Sequence, residues 1–271
     1  MSAQLSYSAG PSEPAVRDLS IGDALREAVA EAPDRVALIA GSPDPGERPQ
    51  WTYAELLSQS EQVARALLTR FKPGERVAVW APNLPQWIFM EYGCALAGIV
   101  LVTVNPSYQA EELAYVLQQS RAAGIFLLPE FRGNPMLGHL EQARPECPQL
   151  RETVLFTEWQ AFLDSATPGE LPAVDPGDAC MIQYTSGTTG FPKGALLHHR
   201  GLVNNGAHTQ QRMGADPHSA YLGIMPLFHT AGCVLAVLGC LSLRGSLVLV
   251  EQFEPGLVLE LTENYGAAAM M

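Results

Sequence analysis

The chain has 271 residues, 47% of them hydrophobic, and a formal net charge of −12. That length and apolar content suit one large domain or two modest ones with a substantial core. The acidic balance excludes nonspecific nucleic-acid binding, which needs basic charge, and leaves any anionic ligand to locally placed donors.

Residues 1–18 read as a disordered tail. Met1 to Arg17 lacks the apolar run of a signal peptide, and Pro11 and Pro14 sit among small residues. Leu19 to Ala30 repeats its apolar residues at helical spacing, and Arg35 to Ala40 reads as a strand. A polar loop over 41–50 precedes Thr52, whose spacing to Glu55 predicts a capping box and a helix with Leu56, Val63, Leu67 and Phe71 facing the core, ending at Gly74. Glu75 to Ala81 follows as a strand, and Pro82 to Pro85 opens a helix through Ala97. Val100 to Val104 is a continuous apolar run of the buried, parallel type. Ser107 is expected to cap a helix through Arg121. Strands at 124–128 and 153–156 alternate with helices at 136–144 and 158–165.

Residues 167–178 hold two Pro-Gly pairs and read as a linker between a first subdomain, 19–166, and a second, 179–271. In the second, Ala179 to Thr185 and Ala195 to His199 read as strands, and Arg200 to Met213 as a helix. A strand over 220–225, a helix over 231–243, a strand over 246–251 and a helix over 255–265 complete the order. Ala231 to Leu243 is too short to span a bilayer, which takes about 20 residues, and reads as a core helix. The repeated strand–helix alternation predicts an α/β fold of parallel-rich sheets covered by helices. The five cysteines sit in apolar surroundings without a Cys-x-x-Cys spacing. They read as buried thiols in a reducing, cytoplasmic setting rather than as disulfides or metal ligands.

The chemistry concentrates in Thr185 to Gly194, TSGTTGFPKG, with three glycines, four hydroxyl side chains, one proline and one lysine. Glycines let successive backbone N–H groups converge on one point and form an anion nest. Thr185, Ser186, Thr188 and Thr189 add donors, Gly187 and Gly190 supply the turn, and Lys193 adds a mobile charge. The Walker A loop is excluded, because it needs a lysine directly after glycine and a helix directly after that. A plain glycine hairpin leaves the four hydroxyls and the lysine unexplained. His229 stands at a strand end, where ligands of α/β sheets bind, and is expected to share a cleft with the 185–194 loop because both follow strands of one parallel sheet; a capping or packing role is the alternative. His198 and His199, adjacent on one strand, point to opposite faces and read as structural. Glu111 and Glu112 complement a helix start.

Tyr184 to Gly194 resembles the AMP-binding signature of the acyl-adenylate-forming superfamily. Leu196 to Asn204 resembles the strand and helix that follow it there, and Met225 to Gly232 a segment near the acyl pocket. Val104 to Leu113 resembles the fatty-acyl-CoA and medium-chain ligase branch. The resemblance runs from about Thr52 to Tyr265 and implies the large-domain fold of those enzymes. It implies a carboxylic acid, ATP with Mg2+, and CoA as small-molecule partners, and leaves peripheral membrane contact open. It implies catalytic roles for Lys193, on the departing pyrophosphate, and for His229, lining the acyl and nucleotide pocket. The family's later motifs and its C-terminal domain lie beyond this sequence. The chain is therefore expected to be an N-terminal part, inactive alone, with apolar surface exposed on Ala231 to Leu243. A noncatalytic nucleotide-binding remnant and a scaffold-only interaction domain stand as alternatives.

Overall fold

The structure, a computed structural model, describes residues 13–185 and 192–270. The elements run α1 (Ile21–Glu31), β1 (Val36–Ala40), β2 (Gln50–Thr52), α2 (Tyr53–Leu68), β3 (Arg76–Trp80), α3 (Pro85–Ala97), β4 (Val100–Val104) and α4 (Ala110–Ser120). They continue with β5 (Gly124–Leu127), α5 (Met136–Ala143), β6 (Glu152–Leu155), α6 (Trp159–Asp164), β7 (Ala179–Thr185), β8 (Lys193–His198) and α7 (His199–Met213). After β9 (Ala220–Gly223) come a π-helix (Ala231–Leu238), α8 (Gly239–Ser242), β10 (Ser246–Leu249), α9 (Pro255–Tyr265) and β11 (Ala267–Met270).

Two sheets form, ordered β11-β9-β10-β1-β2 and β6-β5-β3-β4-β7-β8. Neighbours are parallel except β1–β2 and β7–β8. The main core lies between the sheets and is filled by α1, α2, α3 and the π-helix. A second apolar cluster joins the outer face of the six-stranded sheet to α4 and α5. A third joins the outer face of the five-stranded sheet to α9. Five layers result, helix–sheet–helix–sheet–helix, and α3 in the middle layer has apolar side chains around most of its circumference, as a fully enclosed helix requires.

Local signals explain the helix boundaries. Thr52 Oγ1 accepts the Glu55 N–H at 3.2 Å, and the Glu55 carboxylate accepts the Thr52 N–H at 2.8 Å, the reciprocal cap the spacing predicts. That helix ends at Leu68, short of Gly74. Pro85 starts α3 at its first turn, and Gly98 ends it in the left-handed region at φ 67°. Gln109, not Ser107, precedes α4, and its N–H is accepted by Glu112 at 3.0 Å. Ser107 instead donates its own N–H to Asn105 in a tight turn.

The sheets draw strands from both sides of 167–178: β1 and β2 join β9, β10 and β11, while β7 and β8 join β3 to β6. That segment connects two strands of one sheet. The helix expected over 231–243 is a π-helix followed by one α turn. Most of it is buried in the central layer, so the expected exposed apolar surface is absent there. Gly206 of α7 allows the close packing, since a Cβ there would lie 2.9 Å from the Gly239 nitrogen and 3.0 Å from the Val234 oxygen. The Gln210 amide, fully enclosed, donates to the Leu235 carbonyl at 2.8 Å and satisfies a backbone group that the wider helix turn displaces. Among the described residues no helix is long and apolar enough to cross a membrane.

Candidate functional site

The antiparallel hairpin of β7 and β8 sets Thr185 opposite Lys193, Tyr184 opposite Gly194 and Gln183 opposite Ala195. Lys193 is therefore the first residue of β8, not a residue two positions ahead of a strand. Both Thr185 and Lys193 are exposed at the hairpin mouth. Ser186, Gly187, Thr188, Thr189 and Gly190 lie outside the described residues. β8 is the edge of its sheet, and its residues from Lys193 to Leu196 are exposed.

His229 follows β9 in the turn Pro226 to Thr230 and is exposed. Its Nδ1 accepts the Ala231 N–H at 3.1 Å, and its carbonyl accepts the N–H groups of Gly232 and Cys233. With Nδ1 an acceptor, a neutral imidazole carries its proton on Nε2. The outward nitrogen is then a donor, suited to an anionic oxygen. The capping reading of this histidine is met: it caps the start of the π-helix through Nδ1, and its exposed ring leaves Nε2 without a hydrogen-bond partner among the described residues.

The loop and His229 follow strands of different sheets, contrary to the expectation of a common parallel sheet. They are joined across the middle layer by Cys233. Its sulfur accepts the Gln183 amide at 3.3 Å and lies 3.4 Å from the His229 carbonyl oxygen. Gln183 is the third-last residue of β7, so the start of the π-helix packs beside the strand that enters the loop.

A cleft of about 480 Å³ opens at the carboxyl ends of β3, β4, β5, β9 and β10, lined among others by Asn83, Asn105, Arg132, Phe228 and Glu251. Strand ends of both sheets meet there, the position where α/β sheets bind ligands. Asn83 is the residue the sequence reading passed over. Its amide donates to the carbonyls of Met225 at 3.1 Å and Val250 at 3.0 Å, and its oxygen accepts the Leu227 N–H at 2.8 Å. One side chain thereby fixes the approach to His229. The signal available was a lone asparagine between two prolines directly after a buried strand.

His199 is not on β8 but starts α7. Its Nδ1 accepts the Ile21 N–H at 3.3 Å, and burial pushes its pKa down to about 4. His198 caps the same helix by accepting the Gly201 N–H at 3.0 Å. Both are structural, through helix capping rather than opposite sheet faces. Glu111 and Glu112 sit in the first turn of α4. All five cysteines are buried thiols, and burial raises the pKa of each. Glu91 of α3 is 2% exposed, and among the described residues neither of its carboxyl oxygens has a hydrogen-bond partner. Burial holds its pKa well above the ordinary carboxylate range.

The profile of the family described as AMP-binding enzyme matches residues 25–271. Among curated proteins, YngI of Bacillus subtilis (strain 168), named as an acyl-CoA synthetase, is 32% identical over 274 residues; the match covers 90% of this chain and 49% of that protein. The human mitochondrial medium-chain acyl-CoA ligase ACSF2 is 30% identical, over 91% of this chain and 45% of its own length. The chain thus spans about half the length of these relatives. Among solved structures, a long-chain-fatty-acid-CoA ligase (FadD1) from Archaeoglobus fulgidus superposes with a TM-score of 0.85 at 23% identity. That match covers 98% of this chain and 54% of the other, and concerns the fold.

Proposed function

The chain belongs to the AMP-binding enzyme family, and from that premise we propose that it forms the polyphosphate-binding part of an acid–CoA ligase acting on a fatty acid. In the first step a carboxylate oxygen attacks the α-phosphorus of ATP, the α–β bridging P–O bond breaks, and pyrophosphate leaves with the electron pair. In the second, a CoA thiolate attacks the acyl carbon and AMP departs. The acid needs no general base in the first step, because its carboxylate is already the nucleophile. The demands on the protein are in-line positioning and neutralisation of charge on the leaving group.

The observation that carries this reading is the hairpin register, which puts Lys193 opposite Thr185 at exposed positions on either side of the Gly/Thr-rich segment. Lys193 supplies positive charge to the departing pyrophosphate. Thr185, Ser186, Gly187, Thr188, Thr189 and Gly190 supply hydroxyl and backbone donors to the phosphates. His229 offers Nε2–H to an oxygen of the nucleotide or the acid. Mg2+ arrives with the nucleotide; the described residues gather no group of three or more His, Cys, Asp or Glu to hold it, and no step is derived through it. The name of ACSF2 supports a medium-chain acid as the first substrate to try.

Catalysis by positioning requires every reactant to be held, so the chain alone binds nucleotide and turns over little or nothing. Equilibrium dialysis with labelled Mg-ATP tests the binding, and mass spectrometry for acyl-AMP after adding a mid-length acid tests the chemistry. Saturable ATP binding weakened by Lys193→Ala supports the reading. Absence of ATP binding at millimolar concentration would contradict it and favour a scaffold that only kept the fold. Acyl-CoA formation by the chain alone at about 1 per second, an ordinary enzymatic turnover, would show that this half suffices.

A further inference from the structure

Lys193 begins an edge strand whose outer backbone side has no neighbouring strand among the described residues, so something other than the sheet must fix the point from which it projects. Helix α4 contacts both shoulders of the hairpin. On the downstream shoulder the Tyr115 hydroxyl donates to the Pro192 carbonyl at 2.9 Å. Gln119, one helical turn on, donates its amide N–H to the Tyr115 oxygen at 2.9 Å. On the upstream shoulder the Tyr184 hydroxyl donates to the Val116 carbonyl at 3.2 Å. Tyr115 and Gln119 are spaced i, i+4 and share one helix face.

The approach depends on Gly194. A Cβ there would lie 3.1 Å from Ile182 Cγ2, 3.2 Å from Gln119 Oε1 and 3.2 Å from the Tyr184 ring. The glycine after the lysine therefore serves close packing, while its neighbours carry the hydrogen bonds. Pro192 has φ locked by its ring and no N–H to give. Its carbonyl is the group left to anchor, and the residue on the far side of that peptide is Lys193.

We propose that Tyr115 is a positioning residue for the phosphate-binding hairpin, its hydroxyl holding the Pro192 carbonyl and so fixing where Lys193 projects relative to Thr185. The proposal rests on the reading of Lys193 as a polyphosphate ligand. A lysine side chain is long and has many rotamers; anchoring its root narrows the volume that the ammonium group searches. Tyr115 itself need not touch the ligand.

The test is calorimetric titration of the full chain with inorganic tripolyphosphate, using Tyr115→Phe, Lys193→Ala and the double variant, with melting temperatures measured in parallel. Tyr115→Phe keeps the ring and removes one hydroxyl, so the melting temperature stays within about 2 °C, the scale of a minor surface change. The expected loss of affinity is about three- to ten-fold, the scale of one hydrogen bond. In the Lys193→Ala background the same change has no further effect, because the residue it positions is gone. Unchanged affinity in Tyr115→Phe while Lys193→Ala weakens binding overturns the positioning role and leaves the parent reading intact. An equal loss in both backgrounds also overturns it, since Tyr115 would then act independently of Lys193. A wild-type chain that binds no tripolyphosphate removes the parent reading and the proposal together.

Discussion

β4 and β8 lie in one sheet with only β7 between them, yet they differ in nearly every respect. β4 is parallel to both neighbours and all five of its residues are buried. β8 is antiparallel, at the edge, and buries none of its residues fully. The apolar run of β4 exists because both faces of an inner parallel strand are covered by helices. β8 has little packing duty, so its first position is free to carry a charge. The difference teaches where this chain separates stability from the proposed chemistry: the inner strands hold the frame, and the edge hairpin presents Lys193.

The largest expected effect sharpens that separation from the chemical side. On the proposed function, in a chain that also carries the rest of a ligase, Lys193→Ala lowers acid-dependent ATP–pyrophosphate exchange by on the order of 10²–10³, the cost of removing one preorganised stabiliser of developing charge. The denaturation midpoint stays put. A loss under about three-fold falls well short of that scale and would mean that the edge carries no chemistry. Next comes Val102→Ala in the middle of β4, which removes two fully buried methyl-sized groups. It costs about 1.5–3 kcal/mol in chemical denaturation, transfer and cavity terms together, and leaves ATP affinity unchanged in the folded protein.

Glu91 asks how dry the interior beside β4 is. It lies near Cys94, Cys180 and Cys233, and its presence helps raise all three thiols after burial itself. Its folded-state pKa is raised, so the unfolded chain releases the proton first. Stability is therefore undiminished below the unfolded value near 4.5 and falls as pH rises above it. The slope is about 1.4 kcal/mol per pH unit until the folded pKa is passed. Glu91→Gln removes this slope, and the variant gains stability over the parent increasingly from pH 5 to 7. Equal pH profiles for the two proteins would show that water or a partner reaches the carboxylate. The smallest effect belongs to Leu196→Ala on β8: 63% exposed, it changes stability by less than about 0.5 kcal/mol. A larger loss would mean the edge is packed after all.

How much of this was legible in the sequence follows the same division. The β4 run, the Thr52–Glu55 box and Pro85 at a helix start are local signals, and local structure obeys them. Sheet membership is not local. Nothing in β1 marks it as a partner of β10 rather than β3, because an apolar strand specifies burial and not its neighbour. β11 was missed for a related reason: Ala267 to Met270 has weak β propensity and becomes a strand because β9 offers a parallel edge. The π-helix was read as α because an all-apolar segment has no periodicity from which to measure a turn. His199 reads as a strand residue, but β8 passes directly into α7 at that position, and its side chain is buried. At the candidate site, the strand begins at Lys193, two residues before the sequence suggests, and so pairs it with Thr185. The link from Gln183 through Cys233 to His229 joins two sheets and left no sequence trace.

The central claim is that nucleotide phosphates bind at the mouth of the β7–β8 hairpin. Hydrogen exchange of the chain with and without Mg-ATP, resolved by peptide mass spectrometry, tests it most directly. The account predicts slowed exchange over residues 184–195, with a smaller effect at 225–233 through the Cys233 contact and none in β4. Protection confined to other segments while ATP is bound, with 184–195 unchanged, would contradict it.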